Sequence, residues 1–137
     1  MQTIERTQSE ILNEAAREAA GAAPLIKSLL ESAAFALQKG NAEEARKLLV
    51  PAMTSLGFIS QIMETLESGM GERLAALKYN GENVVAVQSR WLASLEELKG
   101  SINNNDMVRT ADLLAFEVSS EFDAQVAILK MLSEGHS

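Results

Sequence analysis

The stretch Lys39-Gly40-Asn41-Ala42-Glu43-Glu44-Ala45-Arg46-Lys47-Leu48-Leu49 narrows the possible folds of this chain more than any other. Glycine tolerates the left-handed backbone that ends a helix, so Gly40 reads as a helix stop. The Asn41 side chain can then accept a backbone N–H at the start of the next helix, and Glu44, three residues on, is placed to complete a capping box. A comparable element returns at Ile102-Asn103-Asn104-Asn105-Asp106-Met107, ahead of another long helical pattern. Two tight helix-helix corners in a chain of 137 residues predict an antiparallel helical bundle.

The apolar spacing fills in the helices. From Ile4 to Ala20 the pattern is Ala-rich and weakly helical, and such a helix is expected to dock loosely because alanine buries little surface. Gly21 interrupts it, and Pro24 suits the first turn of a second helix that carries Ile26, Leu29, Leu30, Ala33 and Leu37 to about Lys39. In the third helix Ala45, Leu49, Ala52, Leu56, Ile59, Met63 and Leu66 alternate steps of four and three, a heptad seam. Pro51 lies inside that seam and predicts a kink rather than a reversal. Gly69, Gly71 and Asn80-Gly81 break the pattern, with room for a short helix around Leu74 and Leu77. A fourth helix from about Glu82 to Gly100 carries Val84, Val87, Trp91, Leu95 and Leu98, and a last one runs from about Asp106 to Ser133. The predicted fold is all-α: one domain over residues 1–137, an antiparallel four-helix bundle with an additional N-terminal helix. A shift of 65 residues lays Asn41 on Asp106 and Leu48-Leu49 on Leu113-Leu114, a faint repeat of two similar hairpins.

Composition limits what such a bundle does. Hydrophobic residues at 47% and charged residues at 23% give an ordinary globular balance. A domain of this length buries about 68–70% of the surface its unfolded chain exposes. The net charge of −7 removes the basic stripe that nucleic acid or anionic lipid would require. There is no cysteine, the N-terminus lacks a signal-peptide core, and no apolar run approaches the roughly 20 residues of a membrane span. A cytoplasmic protein without nucleic-acid or membrane partners is expected.

The catalytic inventory is nearly empty, so no enzyme, cofactor or metal is expected. The single histidine, His136, is the penultimate residue, which excludes phosphotransfer and di-iron arrangements that need histidines on helix faces. Asp112, Glu117 and Glu121 could serve hydrolysis or a metal only if they met acids of another helix in a buried pocket; a solvated flank is the simpler reading. Gly69-x-Gly71 follows no strand, and Asn103 to Asp106 lacks calcium-loop spacing. Trp91 and the internal methionines read as core.

The last helix carries too many apolar residues for a simple bundle. Ala111, Leu114, Ala115, Val118, Phe122 and Leu129 form one face, while Leu113, Phe116, Ala127 and Met131 point the opposite way at about 100° per residue. Either the first helix covers this second face or a partner does. Leu113, Phe116, Glu117 and Met131 are therefore the candidate partner-binding residues.

Leu37 to Leu49, the helix through Ser55-Leu56 to Thr65-Leu66, the Gly71-Glu72-Arg73-Leu74 entry and the corner at Ile102 to Asp106 together resemble the flagellar export chaperones. The resemblance covers roughly Leu25 to Asp106 and implies a four-helix bundle around which a secreted protein's disordered end is wrapped. Asp112-Leu113-Leu114-Ala115-Phe116-Glu117-Val118 is in turn similar to a D-x-L-x-(Y/F)-E-(L/V) segment of small bacterial helical proteins. The leading expectation is a non-enzymatic interaction module, an export chaperone or adaptor that binds a helical or disordered protein segment. The alternative is a structural or regulatory homo-oligomer, a homodimer being its simplest form.

Overall fold

A computed structural model of the chain describes residues 7–134, and the fold is all-α. In chain order, α1 (Gln8–Gly21) and α2 (Ala23–Gln38) run in series, followed by α3 (Ala42–Gly69) and the short α4 (Gly71–Ala76). A minimal hairpin of β1 (Lys78–Tyr79) and β2 (Glu82–Asn83) leads into α5 (Val84–Asn103). The last helix is α6 (Met107–Asp112), a π-helical turn (Leu113–Glu117) and α7 (Val118–Glu134).

Both corners use the same hydrogen bonds. At the first, Gly40 takes φ +76°, its N–H donates to Leu37 O, and the Asn41 N–H donates to Ala36 O at 2.9 Å. At the second, Asn105 takes φ +55°, its N–H donates to Ile102 O, and the Asp106 N–H donates to Ser101 O at 2.9 Å. Each is a Schellman stop, and in each the following residue is already the next N-cap: Asn41 Oδ1 accepts from Glu44 N, and Asp106 Oδ1 accepts from Arg109 N. The expected capping box at Glu44 does not close, because the Asn41 N–H it would need is engaged by Ala36. A complete box stands instead at Thr7 and Glu10, at the start of α1. The two corners meet at one end of the molecule, where Leu37, Leu49, Ile102 and Met107 face a common cleft. The buried hydroxyls of Ser101 and Thr110 approach to 2.7 Å there.

The bundle has four columns: α1–α2, α3, α5 and the last helix. α2 packs on the first half of α3 and on α6, while α1 packs on the second half of α3 and on α7. The first helix thus extends the second rather than lying across the bundle. Its small residues dock it tightly, contrary to expectation: Leu12, Asn13, Ala16 and Ala19 are buried, and the Arg73 guanidinium donates to both Asn13 Oδ1 and Leu132 O. The segment Glu10–Gln38 is long and apolar enough to cross a membrane by length and composition alone; Ala16, Ala19, Ile26, Leu30 and Leu37 direct that apolarity into the core. In α3 every predicted seam position is buried except the half-buried Leu49, and the helix passes through Pro51 unbroken. Trp91 and Phe122 fill the centre, with ring centroids 6.4 Å apart.

Asn80 (φ +52°) and Gly81 (φ +81°) form the turn of the hairpin, where the sequence predicts only a break. The π turn resolves the excess of apolar residues on the last helix. Thr110, Leu114, Val118 and Phe122 are all buried at spacings of four. Each such step carries an ideal α-helix about 40° past a full turn, and the wider π turn absorbs that drift.

The left-handed positions give a paired test. Gly40→Ala is expected to lower unfolding free energy by about 1–2 kcal/mol in urea titration, the cost of a Cβ in that backbone region. Asn105→Gly is expected to leave it equal or higher.

Candidate functional site

The four residues proposed from the last helix part company. Leu113 is 1% exposed, so it is core and not a partner contact. α2 packs on the π turn, and the uniform 100° step used to place Leu113 outside fails across that turn. Met131 is half-buried on α7, the helix on which α1 packs. Phe116, at 69% exposure, and Glu117 remain at the surface. The first helix therefore covers part of the second face but leaves Phe116 open.

The acids of the last helix do meet acids of another element, at the surface and through arginines. Arg90 of α5 donates to both carboxylate oxygens of Glu82 at 2.6 and 2.7 Å, and its Nε donates to Glu121 Oε2 at 3.1 Å. Arg109 pairs with Glu97, whose carboxyl also interacts with that of Glu117. The Arg109 bond, followed by that to Glu117, holds the Glu97 carboxyl below its ordinary value. The Glu117 carboxyl is raised, first by its hydrogen bond with Glu97, then by desolvation and the Glu97 charge. Beneath this surface Gln88 Nε2 donates to the wholly buried Gln125 Oε1 at 3.0 Å, while Gln125 Nε2 and Glu121 Oε1 have no hydrogen-bond partner among the described residues. Among the described residues no group of three or more carboxylates or histidines converges to hold a metal ion. His136 lies outside the described residues.

A different surface has the form of a binding site. α2 seats against α3 and α5 against the last helix, which leaves α3 and α5 as the loosely joined pair of columns. The Trp91 Nε1–H donates to Ser60 Oγ at 3.0 Å and links them. Beside that bond lies a groove of about 750 Å3, open mouth included. Met53, Leu56, Gly57 and Ser60 form its α3 wall, and Leu92, Leu95, Glu96 and Lys99 its α5 wall. Leu92 stands 55% exposed on the rim, while Leu56 and Leu95 form the floor. On the same side of α3, one turn before Met53, Val50 is 67% exposed. Exposed apolar residues gathered around a concave surface mark interaction sites more often than scattered ones do. The sequence held a signal for this that the heptad reading passed over: residues 48–63 contain no charge at all, the longest such run in the chain. A helix buried on one side does not need its other side uncharged.

A family model described as Domain of unknown function (DUF8042) matches residues 14–124. The chain belongs to that family. The matched span runs from within α1 into α7 and includes both corners, the π turn and both walls of the groove. Searches of curated proteins and of solved structures return no match.

The Glu97–Arg109–Glu117 group yields a pH dependence with a definite sign. A carboxyl raised in the folded state contributes stability that is lost as pH rises from the ordinary 4.5 through the raised value. Glu117→Gln mimics the protonated form. Its melting temperature is expected to exceed that of the parent at pH 7 and to converge with it below pH 4.5. An unchanged difference between the two pH values would remove the Glu97–Glu117 contact as its cause.

Proposed function

We propose that this chain is a non-enzymatic, cytoplasmic protein-interaction module, of the chaperone or adaptor kind, that receives a helical segment of a protein in the groove between α3 and α5. The observation that carries the reading is the groove itself: two columns loosely joined beside the Trp91–Ser60 bond, with exposed Leu92 and the uncharged side of α3 at its mouth. A helix laid there would bury Val50, Met53 and Leu92, which the bundle's own elements leave wholly or partly open. Glu96 and Lys99, 3.7 Å apart on the rim, would orient its polar side. Phe116 is an exposed ring on the π turn and lies outside this groove.

Photo-crosslinking in the source cell tests the reading. A benzophenone amino acid at Leu92 is expected to give discrete covalent protein adducts, whereas the same group at Arg17, exposed on α1, is not. Equal adduct yields from the two positions would sink it.

A further inference from the structure

We infer that the helix received by the groove is α3 of a second copy of this chain, laid antiparallel to the first. The inference rests on the groove being the receiving surface and names its occupant.

α3 carries a second seam beside its core seam. Moving one residue on from Ala45, Leu49, Ala52, Leu56, Ile59 and Met63 gives Arg46, Val50, Met53, Gly57, Ser60 and Glu64, with the same alternating steps of four and three. It lies about 100° round the helix from the core seam. It runs along the groove's α3 wall, and none of its members is fully buried. An antiparallel pairing about the seam's midpoint is self-complementary. Met53 falls opposite Gly57 of the second copy, Val50 opposite Ser60, and Arg46 opposite Glu64, each contact occurring twice by the twofold.

Three observations favour a second copy. The seam has opposite charges at its two ends and none between, so two antiparallel copies of a chain with net charge −7 pair Arg46 with Glu64 twice instead of repelling. Neither Arg46 nor Glu64 has an ion-pair partner among the described residues. Gly57 is an interior helix glycine, which weakens α3 relative to alanine, yet a Cβ built there meets nothing within 4 Å. The bundle gives no reason for it. A methionine of a second copy entering at that position does, since a missing side chain is a hole for a facing knob.

Sedimentation equilibrium of the purified full-length chain tests this, with circular dichroism as the check that each variant folds. The parent is expected near twice 14.8 kDa. Arg46→Glu and Glu64→Arg are both exposed substitutions, and each alone is expected to raise the dimer dissociation constant about tenfold or more through like-charge contact. Mixing the two variants is expected to restore association, because a mixed pair regains both opposite-charge contacts. Gly57→Ala is expected to raise the melting temperature at concentrations where the chain is monomeric and to weaken association, two opposite signs from one methyl group. A monomeric parent at tens of micromolar overturns the inference, as does a dimer indifferent to both charge reversals. If the parent is monomeric while Leu92 adducts contain a foreign protein, the second copy falls and the module reading stands. A monomer without adducts ends both.

Discussion

The fold hangs on two backbone N–H groups, those of Asn41 and Asp106, each of which closes the helix behind it while its own side chain opens the helix ahead. Because stop and start share one residue, no linker intervenes and the chain must reverse within a single turn. Both reversals lie at the same end, so the α1–α2 column and the last helix begin and end in register with α3. The left-handed backbone at Gly40 and Asn105 is the geometric requirement behind both. Glycine meets it without cost and asparagine at a small one, which explains why the echo between the corners is exact in hydrogen bonds and faint in letters.

Once the corners fix the column lengths, the last helix must serve α2 along its first part and α1 along its second. An unbroken α-helix would rotate Phe122 away from the face that holds Thr110 and Leu114. The π turn keeps them together, and it also presents Phe116 and Glu117 to solvent while retaining Leu113 inside. Arginines then lace this column to α5: Arg109 with Glu97, and Arg90, itself held by Glu82, with Glu121. The arginines are exposed, so these pairs orient the α5 seam more than they stabilise it. Toward α3, α5 has the Trp91–Ser60 bond as its side-chain hydrogen bond among the described residues, and the groove follows from that asymmetry.

Legibility in the sequence was uneven for physical reasons. Helices with a dominant apolar stripe were readable, and Val84, Val87, Trp91, Leu95 and Leu98 are buried as spaced. Phe116 is exposed as its spacing predicts, but Leu113, which the same spacing puts beside it, is buried, because a periodicity of 3.6 does not survive a π turn. Glu44 looked like half of a capping box because sequence cannot show that the Asn41 N–H is already used. The uncharged side of α3 was in plain view from residue 48 to 63, yet a heptad reading attends to where the apolar residues recur and not to where charge is missing.

Local chemistry alone determined the helices, their two tight corners and therefore the all-α antiparallel class, because caps, left-handed positions and apolar spacing act over a few residues. Only the tertiary structure decided which columns touch. α3 meets α5 loosely, through the Trp91–Ser60 bond and the Leu56–Leu95 floor of the groove, while α2 and α1 pack closely along its first and second halves, a difference no spacing encodes, since it depends on how four unequal columns share one core. The groove is what that sharing leaves over.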